Sequence, residues 1–66
     1  MIADSTLHAV AAHLDIEADM LVEKTRHVAE LFGPESAHAC IERSIVLKGY
    51  AQELRNEAIA RALSSS

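Results

Sequence analysis

The chain has little of what usually stabilises a small fold. Tryptophan is absent, and Phe32 and Tyr50 are the only aromatic residues among 66. Any core must therefore be aliphatic and rich in alanine. Cys40 is the only cysteine, which rules out an intrachain disulfide, and a lone thiol fits a reducing compartment. No apolar run approaches the ~20 residues of a membrane span, and the amino terminus lacks the basic-then-apolar pattern of a signal peptide. The expected location is the cytoplasm. Basic residues are also few: six against ten acids, for a net charge of −4. The excess is local. Residues 1–32 carry six acids and two bases, whereas residues 34–66 carry four of each. There is no basic stripe of the kind that binds phosphates, which argues against nucleic acid as a partner.

What the chain does have is periodicity. Leu7, Ala11, Leu14, Ala18, Leu21, Thr25, Val28 and Phe32 follow one another in alternating steps of four and three, and seven of the eight are apolar. That period of 3.5 places them on one seam of a helix. No Gly or Pro interrupts it, and Asp4, Ser5 and Thr6 offer three consecutive N-cap types just ahead of it. The spacing predicts a helix over about 5–32, roughly 40 Å long at ~1.5 Å per residue. The residues before it, Met1 to Ala3, are expected to fray. Asp15 could instead cap a second helix and break the first half in two, giving a three-helix mini-bundle. The seam passes through it in register, which favours the continuous helix.

Gly33-Pro34 is the clearest punctuation in the chain. Glycine suits the residue that ends a helix, proline the first turn of the next, and Glu35 places an acid near the positive end of that helix dipole. So short a joint makes the two helices antiparallel neighbours. The second helix is expected over about 35–62, with a disordered serine tail after it. Its apolar residues form two stripes. Cys40, Leu47, Ala51, Leu54 and Ala58 would face the first helix. Ile41, Ile45, Ile59 and Leu63 would face a second copy of the chain, with Lys48 and Arg55 between the stripes. One neighbouring helix covers an arc of about 100°, so two stripes call for two neighbours. The expected fold is all-α: an antiparallel two-helix hairpin that dimerises into a four-helix bundle, all in one domain spanning 1–66.

Several residues are of types that carry chemistry. Folding at Gly33 brings residues whose numbers sum to about 66 level with one another. His27 then comes opposite His38 and Cys40, which are ligand types competent for zinc. Cys40 falls on the apolar seam and His38 on the polar arc, however, so the two diverge. His8 and His13 come level with Glu57 and Glu53, a pattern read as surface ion pairs. Lys48 and Arg55 come level with Asp19 and Asp15 and would neutralise the acidic first helix, or line a groove for an acidic partner. Gly49, inside the second helix, is either a tolerated weakness or a point of close helix approach. Ile2, Ala9, Ile16 and Met20 form an apolar patch opposite the first seam, read as a contact surface.

The motifs of common chemistry are missing: there is no glycine-rich phosphate loop, no Cys-x-x-Cys and no calcium loop. Ser44 lies inside a helix with no assigned base. Neither enzymatic activity nor a cofactor is expected. A hairpin dimerising into four helices is similar in outline to the small RNA-binding plasmid copy-number regulator, although the acidic first helix departs from a surface that must meet phosphates. It also loosely resembles the short hairpin phosphatases that act on sporulation phosphorelay proteins. Their signature sets a Ser three residues before a Leu-Asp pair. Here Ser44-Ile45-Val46-Leu47 is followed by Lys48, so that activity is not carried over. The sequence thus points to a non-enzymatic regulatory or adaptor protein. Its partners are itself and another protein, with Ile16, Met20, Lys48 and Arg55 as the contact residues for the latter. The alternatives are a metal-binding module built on His27, His38 and Cys40, and a small dimeric nucleic-acid-binding regulator.

Overall fold

The computed structural model describes residues 2–65; Met1 and Ser66 lie outside the described residues, and with them the fraying expected at Met1 and the end of the serine tail. Two helices account for nearly all of it: α1, Asp4–Phe32, and α2, Pro34–Ser64. They are 29 and 31 residues long and pack side by side into a rod of 51 × 15 × 14 Å. There is no strand among the described residues.

The helices are joined by a single residue. Gly33 sits at φ 97°, ψ 173°, a region of backbone space that is essentially reserved for glycine. Its N–H donates to the Ala29 carbonyl at 3.0 Å, closing α1, and its own carbonyl accepts from Ala37 N–H at 3.3 Å, opening α2. Pro34 is therefore already the first residue of α2, where its missing N–H costs no helical bond. At the other end of α1 the N-cap is Ala3, whose carbonyl accepts from Thr6 and Leu7. Asp4, Ser5 and Thr6 lie inside the helix, and no side chain caps it. At the far end of α2, Ser64 is still helical and Ser65 bonds back through its hydroxyl to the carbonyls of Arg61 and Ala62, which gives these two serines defined places.

The interface between the helices has a consistent composition. On α1 the buried residues are Leu7, Ala11 and Ala18, with Leu14, Leu21, Thr25 and Val28 half-buried beside them. On α2 they are Ala37, Ser44, Leu47, Ala51 and Ala58, with Cys40 and Leu54 half-buried. Small and larger residues thus alternate at heptad spacing from Leu7 to Leu21 on α1 and from Ser44 to Ala58 on α2. The small ones are the most deeply buried: Ala11, Ala18 and Ala51 expose nothing. The two hydroxyls in the seam are satisfied by their own helices. Thr25 donates to the Leu21 carbonyl at 2.9 Å, and Ser44 to the Ile41 carbonyl at 2.7 Å.

One expectation about the α1 seam is corrected. Phe32 does not share the seam: it is 71% exposed. It is the last residue before the turn, and α2 begins only two residues later, so no turn of helix lies opposite to cover it. As the unbroken seam predicts, α1 runs continuously through Asp15, which excludes the alternative three-helix arrangement. The Asp15 carboxylate is engaged from across the hairpin by Arg55 instead of turning back to cap its own backbone.

Candidate functional site

The two edges of the helix–helix seam differ in chemistry. One edge is charged and closed. Arg55 hydrogen-bonds to Asp15, and Lys48 reaches both Asp19, at 3.1 Å, and Asp15, at 3.7 Å. These are the pairings that the antiparallel register anticipates. The hydrogen bond from Arg55, opposed by some burial and helped by the nearby charges of Arg55 and Lys48, holds the Asp15 carboxyl below the ordinary carboxylate value. The hydrogen bond to Asp19 likewise raises Lys48 above the ordinary lysine value. Arg61 closes the open end of the hairpin. It donates to the Ile2 carbonyl, lies 3.7 Å from Asp4, and bonds Glu57 one turn away at 3.1 Å.

The other edge is open. Ile16, Met20, Leu21 and Leu47 line a groove of about 480 Å³ together with the charged and polar side chains of His13, Glu17, Lys24 and Arg43. Helix geometry puts Met20 across the α1 seam from Asp15 and Asp19, and Ile16 on the face opposite the seam. The four residues expected to meet a partner protein are accordingly separated. Ile16 and Met20 belong to the groove, whereas Lys48 and Arg55 belong to the opposite edge with their charges met inside the chain. The cations at the groove are Lys24 and Arg43, which the sequence reading did not single out. Among the described residues they hold no ion pair, and their signal in the sequence is their position, each flanking its own helix's seam on the side away from Lys48 and Arg55.

The histidines do not converge. His13 pairs with Glu17, and His38 with Glu42, each one turn along its own helix at 3.0 Å and well exposed. The cross-hairpin pairs His13–Glu53 and His8–Glu57 are not made; Glu57 accepts from Arg61 instead. A contact one turn away on the same helix needs no reach across the seam, so it wins over a partner on the facing helix. Cys40 is a half-buried free thiol within the seam. Among the described residues no group of three or more His, Cys, Asp or Glu side chains is placed to hold a metal ion, so His27, His38 and Cys40 are not gathered into one.

The remaining candidate surface is the outer face of α2. Ile41, Ile45, Ile59 and Leu63 are 41%, 65%, 55% and 72% exposed, the equivalent of about 2.3 whole side chains held in water. Leu31, Phe32, Val22, Val46 and Tyr50 add further exposed apolar surface elsewhere on the rod. None of the described helices is long and apolar enough to cross a membrane. Comparison with protein-family models, with curated proteins and with solved structures finds no match to this chain.

Proposed function

We propose that this chain is a non-enzymatic interaction module: a hairpin that pairs with a second copy through Ile41, Ile45, Ile59 and Leu63 to form a four-helix bundle, and offers the groove at Ile16 and Met20 to a partner protein in a regulatory or adaptor role. The cytoplasm suits its single free thiol.

The observation that carries this reading is the inverted distribution of apolar bulk. Alanine and serine fill most of the buried seam, while the isoleucines lie outside it. A globule of 66 residues has a radius of gyration near ~11 Å, against 15.3 Å here. Its accessible surface would be about 4,100 Å² for a 7.2 kDa chain, against 4867 Å². The excess, about 700 Å² per copy, is close to the ~800 Å² that each partner buries in a standard interface.

Sedimentation at micromolar concentration tests the pairing. The expected mass is about twice the 7.2 kDa of one chain, with a melting temperature that rises with concentration. Ile45→Glu should give a largely unfolded monomer, because an isolated pair of helices has little other source of stability. Met20→Glu should leave the dimer intact. A folded wild-type monomer with a concentration-independent melt would refute the reading, and loss of the dimer in Met20→Glu would move the self-contact to the groove.

A further inference from the structure

The exposed stripe of α2 reads the same from either end. Taking Gln52 as the centre, Ile45 and Ile59 lie seven residues to each side, and Ile41 and Leu63 eleven. At 100° per residue these five side chains fall within about 40° of one another on the outer face of α2, over a length of roughly 33 Å. The seam toward α1 lies about 110° away around the same helix, so both faces can be occupied at once.

We infer that two copies pair through α2 in antiparallel orientation about a two-fold axis at Gln52, with Ile45 against Ile59 of the second copy and Ile41 against its Leu63. The inference rests on the pairing proposed above and fixes its orientation and register. An isologous contact requires a surface that is complementary to itself after a half-turn, which the centred spacing supplies. A parallel arrangement would also align the apolar residues, each against its own counterpart. It would, however, set Lys48 beside Lys48 and Arg55 beside Arg55, and align the dipoles of two 31-residue helices. The antiparallel arrangement sets Lys48 opposite Asn56 and Arg55 opposite Gly49, with no like charges facing. Gln52 then meets its own counterpart at the axis, where a polar amide in an otherwise apolar stripe penalises shifted registers. In the single hairpin the Gln52 amide is exposed and donates to Asn56 at 2.9 Å, so it is accessible to exchange that bond for one across the axis.

Cysteine pairing in a glutathione redox buffer tests the register, in a full-length Cys40→Ser background whose sedimentation is measured alongside. Gln52→Cys alone should form a covalent dimer. Ile45→Cys mixed with Ile59→Cys should give the mixed dimer in clear preference to either self-pair. If the background chain sediments as a dimer but Ile45→Cys pairs preferentially with itself, the antiparallel register is overturned and the pairing stands. If the background chain sediments as a monomer and Gln52→Cys links no faster than a cysteine placed at Glu30 on α1, both the register and the pairing are overturned.

Discussion

The two glycines of this chain should respond to the same substitution with opposite signs. Gly33 occupies φ 97°, ψ 173°, and a Cβ built on it would meet nothing within 4 Å. Sterics against neighbours are therefore not at issue, and the whole cost of Gly33→Ala is backbone strain, about 1–3 kcal/mol for a non-glycine residue held in such a region. Gly49 is in the middle of α2, and a Cβ there also meets nothing within 4 Å. Gly49→Ala removes only the entropic disadvantage of a helical glycine and should stabilise by about 1 kcal/mol. In a chain of this length each kcal/mol moves the melting point by roughly 4–8 °C. Thermal unfolding followed by circular dichroism, with all three proteins at one concentration, should place Gly33→Ala at least about 4 °C below wild type and Gly49→Ala about 4–8 °C above it. Gly33→Ala melting with the wild type would refute the assigned turn. A destabilised Gly49→Ala would show that Gly49 is a point of close approach to another helix, the alternative its sequence position leaves open.

Replacing Gly33 and Pro34 together with Ala removes both the turn residue and the proline that resists a continuous helix, at ~3 kcal/mol in a helix interior; the product should be one long helix and a domain-swapped or larger oligomer, seen by sedimentation. The Arg55–Asp15 hydrogen bond lowers the Asp15 pKa, so its stabilisation is complete above the ordinary 3.8 and is lost as pH falls through the lower folded value. Asp15→Asn should accordingly show a shallower loss of melting temperature on acidification than wild type, and equal slopes would refute the pair's role. Lys48 works in the other direction: raised by Asp19, it stabilises below the ordinary 10.5 and ceases to as pH climbs through the higher folded value, a loss that Lys48→Met should abolish in alkaline melts. Ser44→Ala removes a hydroxyl that bonds only its own helix and improves helix propensity, so urea unfolding should show it neutral or more stable by up to ~0.5 kcal/mol; a loss beyond ~1 kcal/mol would assign the hydroxyl a partner outside the hairpin.

The helices were legible because their signals are periodic and local. Steps of four and three from Leu7 to Val28 predict a face, and Gly33-Pro34 is a sharp stop that the backbone at Gly33 bears out. The same period explains why Lys48 and Arg55 reach Asp19 and Asp15, since a level antiparallel register leaves long cations beside short carboxylates. Other features depend on what lies opposite, which periodicity does not encode. Phe32 continues the pattern but has no turn of helix to pack against. Ser44 looks like a break between Cys40 and Leu47 in the second seam, yet it is buried, because its hydroxyl bonds back to the Ile41 carbonyl and leaves a surface little larger than alanine.

The groove was the least legible feature, and its obscurity has a physical cause. The sequence offers Ile16 and Met20 as an apolar contact patch and Lys48 and Arg55, separately, as cations lining a groove for an acidic partner. Which cations border an apolar patch is decided by the side of the seam on which each residue lies. Lys48 and Arg55 flank the α2 seam on the side that meets Asp15 and Asp19, whereas Arg43 flanks it on the side that meets Leu21 and Lys24. That assignment could have been made from the heptad positions, since Lys48 lies one step past the buried Leu47 and Arg43 one step before the buried Ser44. The stripe of Cys40, Leu47, Ala51, Leu54 and Ala58 omits Ser44 and so hides that assignment. Without Ser44 the second seam jumps from Cys40 to Leu47, a gap of a full heptad, and Arg43 has no buried neighbour to define its side. The small hydroxyl that fills this gap is thus what places Arg43, and with it one of the two cations at the groove.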